Sequence, residues 1–173
     1  MMQTDEQKTK LLILGAGQYG QVIAEIASLT SDYASIDFLD DKSALAIGKL
    51  DDYPRFSSTH THALVSIGNP EIRGKYLTKL QNAGFQIPVL IHPQAYVSAS
   101  AVLKAGTVVE ALSAVNTRAE IGCGTFLCLG STVNHDAVVG DFCTLQCGSV
   151  VCSNAELPNN TVLDYNSVKK KND

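Results

Sequence analysis

The chain has no C-x-x-C pair, no long apolar run and little net charge, and each shortage removes a class of function. No stretch approaches the roughly 20 apolar residues of a membrane span, so membrane insertion is not expected. A formal charge of −4 gives no electrostatic footing for nucleic acid or an acidic membrane. The polar start, MMQTDEQKTK, lacks the apolar core of a secretory signal. Five cysteines stand at 123, 128, 143, 147 and 152, all in the second half of the chain, where small residues recur. They read as reduced structural thiols of a cytoplasmic protein rather than as a disulfide framework or a metal site. His60, His62 and His92 lack metal-site spacing and are assigned to loops and a domain junction, so no catalytic metal is expected.

What the chain has instead is a period of six. From Ile91 to Val168 thirteen hexads follow without a slip, and each opens on Val, Ile or Leu: Ile91, Val97, Leu103, Val109, and so on to Leu163. The fifth position is small throughout, from Ala95 and Ala101 to Thr161 and Ser167. A helix repeats its apolar residues every three or four positions and an open strand every two. Six, with a small residue at the tight place, suits short strands joined by bends and wound into a parallel β-helix. Each turn of such a stack buries its apolar face only against its neighbours.

The first ninety residues have another grammar. Lys10 to Leu14 reads as a buried strand and runs straight into Gly15-Ala16-Gly17-Gln18-Tyr19-Gly20. A helix follows, with Val22, Ile23, Ile26, Ala27 and Leu29 on one side. Strand, G-x-G-x-x-G and helix together make a phosphate-binding turn, with unpaired N–H groups at the helix start. A second strand, Ile36 to Leu39, ends in Asp40-Asp41, where an acid meets a ribose hydroxyl in dinucleotide folds. A third, Ala63 to Ile67, leads through Gly68-Asn69-Pro70 into a helix from Glu71 to Asn82 capped by Gly84, and Ile87 to Leu90 returns a short strand. Three or four strands have room for half a dinucleotide site, a mononucleotide or the nucleotide end of a sugar nucleotide; the alternative is a Rossmann-like fold whose glycines serve only the turn.

Taken together, these segments resemble one family. The hexads resemble the left-handed β-helix of the hexapeptide-repeat transferases. With LLILGAGQYGQVIAEIA, FLDD, SIGNPEIRGKYLTKL and the Asn134-His135-Asp136 motif, the chain from about Lys10 to Val168 is similar to the nucleotide-amino-sugar N-acetyltransferases and sialic-acid O-acetyltransferases of bacterial surface glycans. The resemblance implies a Rossmann-like nucleotide-sugar-binding domain over 1–90 and a β-helix of a little over four coils over 91–173, eighteen residues to a coil. It further implies acetyl-coenzyme A as co-substrate and a homotrimer with ligand sites between neighbouring prisms. Gly15, Gly17 and Gly20 would approach the nucleotide's phosphates, Asp40 and Asp41 would face base or ribose, and Ile67, Gly68 and Asn69 would line the pocket. Arg73 would either hold its helix in place or touch the ligand. Asn134, Thr144 and Gly148 are assigned to acetyl-coenzyme A, and His135 with Asp136 matches the family's catalytic His-acid pair.

The chemistry suits the residues. Acyl transfer to an amine or hydroxyl needs a base, and imidazole titrates near neutral pH. A neighbouring carboxylate fixes its tautomer and stabilises the imidazolium that forms. Coil arithmetic adds that Arg118 lies eighteen residues before Asp136, and Asn116 eighteen before Asn134. An Arg118–Asp136 contact and an Asn116–Asn134 ladder between adjacent coils are therefore expected. If Arg118 takes Asp136, the carboxylate becomes a scaffold element rather than the orienter of His135.

Three departures from the family pattern keep a second hypothesis in view. Tyr19 stands where the family often has His, and Thr144 where it commonly has a second His nine residues after the first. Relatives usually run about two coils further, and those coils form part of the acetyl-coenzyme A groove; here Lys169-Lys170-Lys171 follows, to meet the coenzyme's phosphates or simply to be solvated. The alternative to an acetyltransferase is a non-catalytic homologue that binds a nucleotide sugar or organises a partner enzyme. Acyl transfer from a longer acyl-coenzyme A is a third option.

Overall fold

The computed structural model describes residues 9–30 and 33–172, so the start of the chain, through residue 8, on which the absence of a signal was read, lies outside the described residues. Strand β1 (Lys10–Leu14), helix α1 (Gln18–Thr30), β2 (Ser35–Leu39), β3 (Ala46–Gly48), a 3-10 helix (Leu50–Phe56), β4 (His62–Val65) and helix α2 (Pro70–Asn82) follow in order. The four strands make one parallel sheet, ordered β3-β2-β1-β4. Leu11, Leu12, Ile13 and Leu14 are fully buried because both sheet faces are covered. Alternation sends Leu11 and Ile13 to the α1 side, against Ile23, Ile26 and Ala27. Leu12 and Leu14 go to the other side, against Tyr76, Leu77 and Leu80 of α2.

From Leu90 onward come fourteen two-residue strands, β5 (Leu90–Ile91) to β18 (Val168–Lys169). They pair in parallel at a spacing of eighteen and build the three faces of a prism. The first face stacks Leu90–Ile91, Val108–Val109, Phe126–Leu127, Thr144–Leu145 and Val162–Leu163. The second stacks Tyr96–Val97, Ala114–Val115, Thr132–Val133, Val150–Val151 and Val168–Lys169. The third stacks Val102–Leu103, Glu120–Ile121, Val138–Val139 and Glu156–Leu157. The second residue of each pair points inward, as the hexad column predicts, and Val109, Ile121, Leu127, Val133, Leu145 and Val151 have no exposed surface. The fold is thus an α/β unit followed by a left-handed parallel β-helix.

Outward residues of the first face, Leu90, Val108 and Phe126, join the core on the α1 side of the sheet, so prism and sheet share one apolar interior. Phe142 wedges between them: its ring lies against Gly124 on the coil below and against Gly74 of α2. The hexad's fourth position supplies the bends, and from Gly106 to Asn166 every one of the eleven is left-handed, with φ between 54° and 76°.

Several details differ from the sequence reading. The stack runs to fourteen strands rather than thirteen hexads, because Lys169 takes the inward place opposite Val151. The third strand is His62–Val65, which puts His62 on a strand, and the return strand is Leu90–Ile91, with only a bridge from His62 to Gln86 ahead of it. Leu29 is exposed rather than on the inner side of its helix. His60 lies in a loop as expected but is buried, its Nε2 2.9 Å from Asp37 Oδ2. Strand β3 and the 3-10 helix carry no apolar period and were not anticipated. Among the described residues no helix is long and apolar enough to cross a membrane, and no cluster of His, Cys, Asp or Glu is placed to hold a metal.

The bends predict unequal tolerance. Gly124, at φ +58°, would bring a methyl group to 2.7 Å from the Phe142 ring, whereas Gly130, at φ +69°, has open space around it. In urea melts, Gly124→Ala should lose about 2–4 kcal/mol and Gly130→Ala about 1. Equal losses would remove Phe142 as the wedge.

Candidate active site

Strand β1 is flanked by β2 and β4, and it is at such a switch of direction, beyond the strands' carboxyl ends, that open α/β sheets take their ligands. The glycine loop and the Ile67-Gly68 turn sit there side by side. Ser66 fastens them, its hydroxyl donating to the carbonyls of Leu14 at 3.1 Å and Gly15 at 2.8 Å. Gly20 is forced by close packing on the Gly15 carbonyl, but Gly17 and Gly68 face open space. Asp40 ties the loop down: Oδ2 accepts from the Ala16 N–H at 2.9 Å, and Oδ1 from the N–H groups of Lys42 and Ser43. Those donors, Ala16 first, hold its carboxyl below the usual range. Asp41 accepts from the Leu50 N–H at 3.1 Å, and Asn69 caps α2 by accepting from Ile72 N–H at 3.0 Å.

Arg73, in the first turn of α2, is fully buried and meets no carboxylate. Nε donates to the Gly124 carbonyl at 2.8 Å, and Nη1 to those of Ile67 at 2.9 Å and Gly68 at 3.1 Å. Nη2 donates to the carbonyls of Phe142 at 2.5 Å and Cys143 at 3.2 Å and to the Thr144 hydroxyl at 3.3 Å. The guanidinium lies 4.2 Å over the Phe126 ring. Burial pushes its pKa down to about 10, which leaves it charged at neutral pH. Of the two roles open to Arg73 in the sequence, holding the structure is the one its geometry performs.

Beside it opens a cleft of about 220 Å³, lined by Tyr19, Gly68, Phe126, Cys128, Thr144, Gln146 and Val162. Tyr19 and Phe126 pack ring to ring at 4.6 Å. The Tyr19 hydroxyl is buried without a hydrogen-bond partner. Burial, then the nearby Cys128 and Glu110, push its pKa up. Of the cleft's residues the sequence reading had singled out only Gly68 and Thr144 as binding groups. Phe126, Cys128, Gln146 and Val162 were missed, although all four stand at outward hexad positions of the first face.

His135 and Asp136 lie elsewhere. Thr132–Val133 belongs to the second face and Val138–Val139 to the third, so the turn from Asn134 to Ala137 is the edge between them. The first face, with the cleft, is across the prism from that edge. At the edge, Asp136 Oδ2 lies 2.8 Å from His135 Nδ1. The expected contact with Arg118 is present and bidentate: Nε to Oδ1 at 2.6 Å and Nη2 to Oδ2 at 2.9 Å. Arg118 first, and His135 second, hold the Asp136 carboxyl at a pKa of about 2. An ionised carboxylate only accepts, so His135 Nδ1 carries a proton, and in the neutral ring the lone pair is on Nε2. Asp136 is therefore both scaffold and orienter. The Asn116–Asn134 ladder does not form; Asn116 Oδ1 turns back to its neighbour's N–H at 2.7 Å and hydroxyl at 3.2 Å. Local side-chain to backbone bonds outcompete the longer reach. Of the residues assigned to acetyl-coenzyme A, Thr144 is on the first face, Asn134 on the edge opposite, and Gly148 on the edge between the first and second faces, so one chain does not bring them together.

Comparison with known proteins gives the same architecture a lineage. Residues 10–80 match the PglD N-terminal domain. The acetyltransferase domain of PglB from Neisseria gonorrhoeae FA1090, solved in complex with acetyl coenzyme A, superposes with a TM-score of 0.90 at 29% identity, over 95% of this chain and 83% of that one. The chain thus joins a domain similar to the PglD N-terminal domain to a hexapeptide-repeat prism like that of the PglB acetyltransferase domain. A perosamine N-acetyltransferase mutant from Caulobacter crescentus, solved with CoA and GDP-perosamine, shares the fold with a TM-score of 0.81 at 24% identity, over 92% and 87% of the two chains. The UDP-N-acetylbacillosamine N-acetyltransferase of Bacillus subtilis (strain 168) is 33% identical over 108 residues, 57% of this chain. The chain thus spans about half the length of the curated relative it matches, 50%.

Arg73 should be irreplaceable in this setting. Arg73→Met leaves buried carbonyls without their donor and should cost at least about 3 kcal/mol. Arg73→Lys, a point charge with no fork, should recover less than half of that. Thermal melts of the two variants, read side by side, check both; a wild-type melt for Arg73→Lys would show that charge alone suffices.

Proposed function

We propose that the chain transfers the acetyl group of acetyl-coenzyme A to the amino group, or a hydroxyl, of a nucleotide-linked sugar, with His135 as general base. One observation carries the reading: the ionised Asp136 holds His135 by Nδ1, and Nε2 of a half-exposed ring is left free to take a proton. Gly17 and Gly68, whose small size nothing inside the chain requires, leave backbone open at the crevice and support a phosphate-bearing ligand there. Gly15 and Gly20 shape that loop, with Asp40 and Asp41 beyond it toward the ribose or base, and Ile67 and Asn69 bounding the turn. The cleft beside Tyr19 then takes the sugar. The PglB domain solved with acetyl coenzyme A and the relative named as an N-acetyltransferase support the reaction class.

In the reaction, the acceptor's nitrogen or oxygen attacks the thioester carbonyl while His135 Nε2 removes its proton. The tetrahedral intermediate collapses, the C–S bond breaks, and the coenzyme leaves as a thiol that regains the proton from the imidazolium. Asp136 stabilises that imidazolium. Since His135 stands across the prism from the cleft, a second copy of the chain has to present its His135 edge to the cleft of the first. A homotrimer of prisms meets that need, with acetyl-coenzyme A lying between copies near Asn134 of one and Thr144 and Gly148 of the next.

A binding-only protein is the second reading, and Thr144 favours it: its hydroxyl accepts from Arg73 and is a fastening point rather than a proton carrier. Mass spectrometry separates the two. Incubation with acetyl-coenzyme A and a panel of UDP-linked amino sugars should add one acetyl group to a sugar. His135→Ala should lower turnover by about 10²–10⁴ while leaving the assembly intact. No product, together with no binding of acetyl-coenzyme A, would favour the binding-only protein.

A further inference from the structure

We propose that Arg118 is a positioning residue for His135: its guanidinium, held bidentate on Asp136, shares that carboxylate with the imidazole and limits how strongly it favours the imidazolium. This rests on the reading of His135 as the base. The geometry is specific. Asp136 Oδ2 receives both Arg118 Nη2, at 2.9 Å, and His135 Nδ1, at 2.8 Å, while Oδ1 is taken up by Arg118 Nε at 2.6 Å. One carboxylate charge therefore serves two partners. An unshared carboxylate would stabilise the imidazolium and raise the His135 midpoint, whereas the adjacent guanidinium opposes protonation and returns it toward neutrality.

The backbone supports a dedicated pair. Of the eleven left-handed bends, eight carry Gly, Asn or Asp, which tolerate that conformation, and three carry Leu112, Arg118 and Phe142. Phe142 is the wedge against α2. Arg118 and Asp136, at φ 56° and 59°, occupy bends one directly above the other, which brings each side chain within reach of its partner. Strain retained at Arg118, where Gly or Asn would carry none, points to a use beyond folding, since an exposed ion pair adds little stability. Nothing in the structure explains Leu112.

Among the described residues, Arg118 and Asp136 are the charged groups that form ion pairs at this edge. On the coil above, Asn154 donates its N–H to the His135 carbonyl at 3.3 Å, and on the coil below, the Ser100 hydroxyl accepts from the Arg118 N–H at 3.2 Å. Neither titrates. Glu120 and Glu156 open the third-face strands below and above, both exposed, and Cys152 stands on the second face above Asn134.

The test is a histidine titration by NMR on the intact protein, with ring nitrogens labelled, alongside the pH profile of acetyl transfer to whichever UDP-linked amino sugar is turned over. In the wild type, neutral His135 should show the proton on Nδ1. Arg118→Met should raise the His135 midpoint by about half a pH unit. Arg118→Lys, which keeps the charge and loses the fork, should raise it by less. The acidic limb of kcat/KM should move by the same amount, so that Arg118→Met loses activity at pH 6 and regains it at pH 8. An unchanged or lowered midpoint in Arg118→Met overturns the coupling. A midpoint that moves while the limb stays overturns His135 as the base, and with it Arg118's part in the reaction.

Discussion

One buried guanidinium decides how the two halves of the chain stand to each other. Arg73 leaves an α-helix, crosses the seam and donates to the carbonyls of Gly124, Phe142 and Cys143 on the prism, while the same group holds Ile67 and Gly68 on the sheet side. An arginine can do this because its five N–H groups form a rigid planar fork. The group has no exposed surface, and among the described residues it faces carbonyl dipoles, the Thr144 hydroxyl and the face of Phe126. Phe126 in turn packs on Tyr19, so the floor of the cleft is a stack that begins at Arg73. The width of the cleft between Gly68 and Thr144 is thus set by a residue that bonds to both sides of it.

At the opposite edge the design is inverted. There the charges are exposed, the partners are adjacent coils, and the scaffold is the repeat itself. Stacking at a pitch of one strand spacing, about 4.8 Å, is what lets an arginine on one coil reach an aspartate on the next. The two edges share no side-chain network within one chain. They are coupled only if copies of the prism pack together, so the proposed reaction requires assembly.

Much of this was legible in the residues, for a physical reason. A hexad whose first position is always Val, Ile or Leu has one way to bury them, so columns, faces and the Arg118–Asp136 contact all follow from counting by eighteen. The left-handed bends were present in the sequence too, in Gly106, Gly124, Gly130, Gly148, Asn154, Asn160 and Asn166, and were passed over because four other residues interrupt the series. The Asn116–Asn134 ladder failed because a short amide finds its own backbone sooner than a neighbour's side chain. The cleft was only partly visible. Phe126, Cys128, Gln146 and Val162 look like any outward residues of a repeat, and only docking of the sheet against the first face tells them apart from the rest. Strand β3 and the 3-10 helix obey no period, so nothing in the pattern announced them.

The eighteen-residue pitch also limits how such a molecule can change. One residue gained or lost between His135 and Thr144 would turn every later side chain off its column. Six would carry Thr144 and Val162 to a different face, away from Tyr19. Only a whole coil returns each group to its own face, one storey higher. The height of the prism is therefore quantised, and lineages that alter it must do so by whole storeys or surrender the cleft.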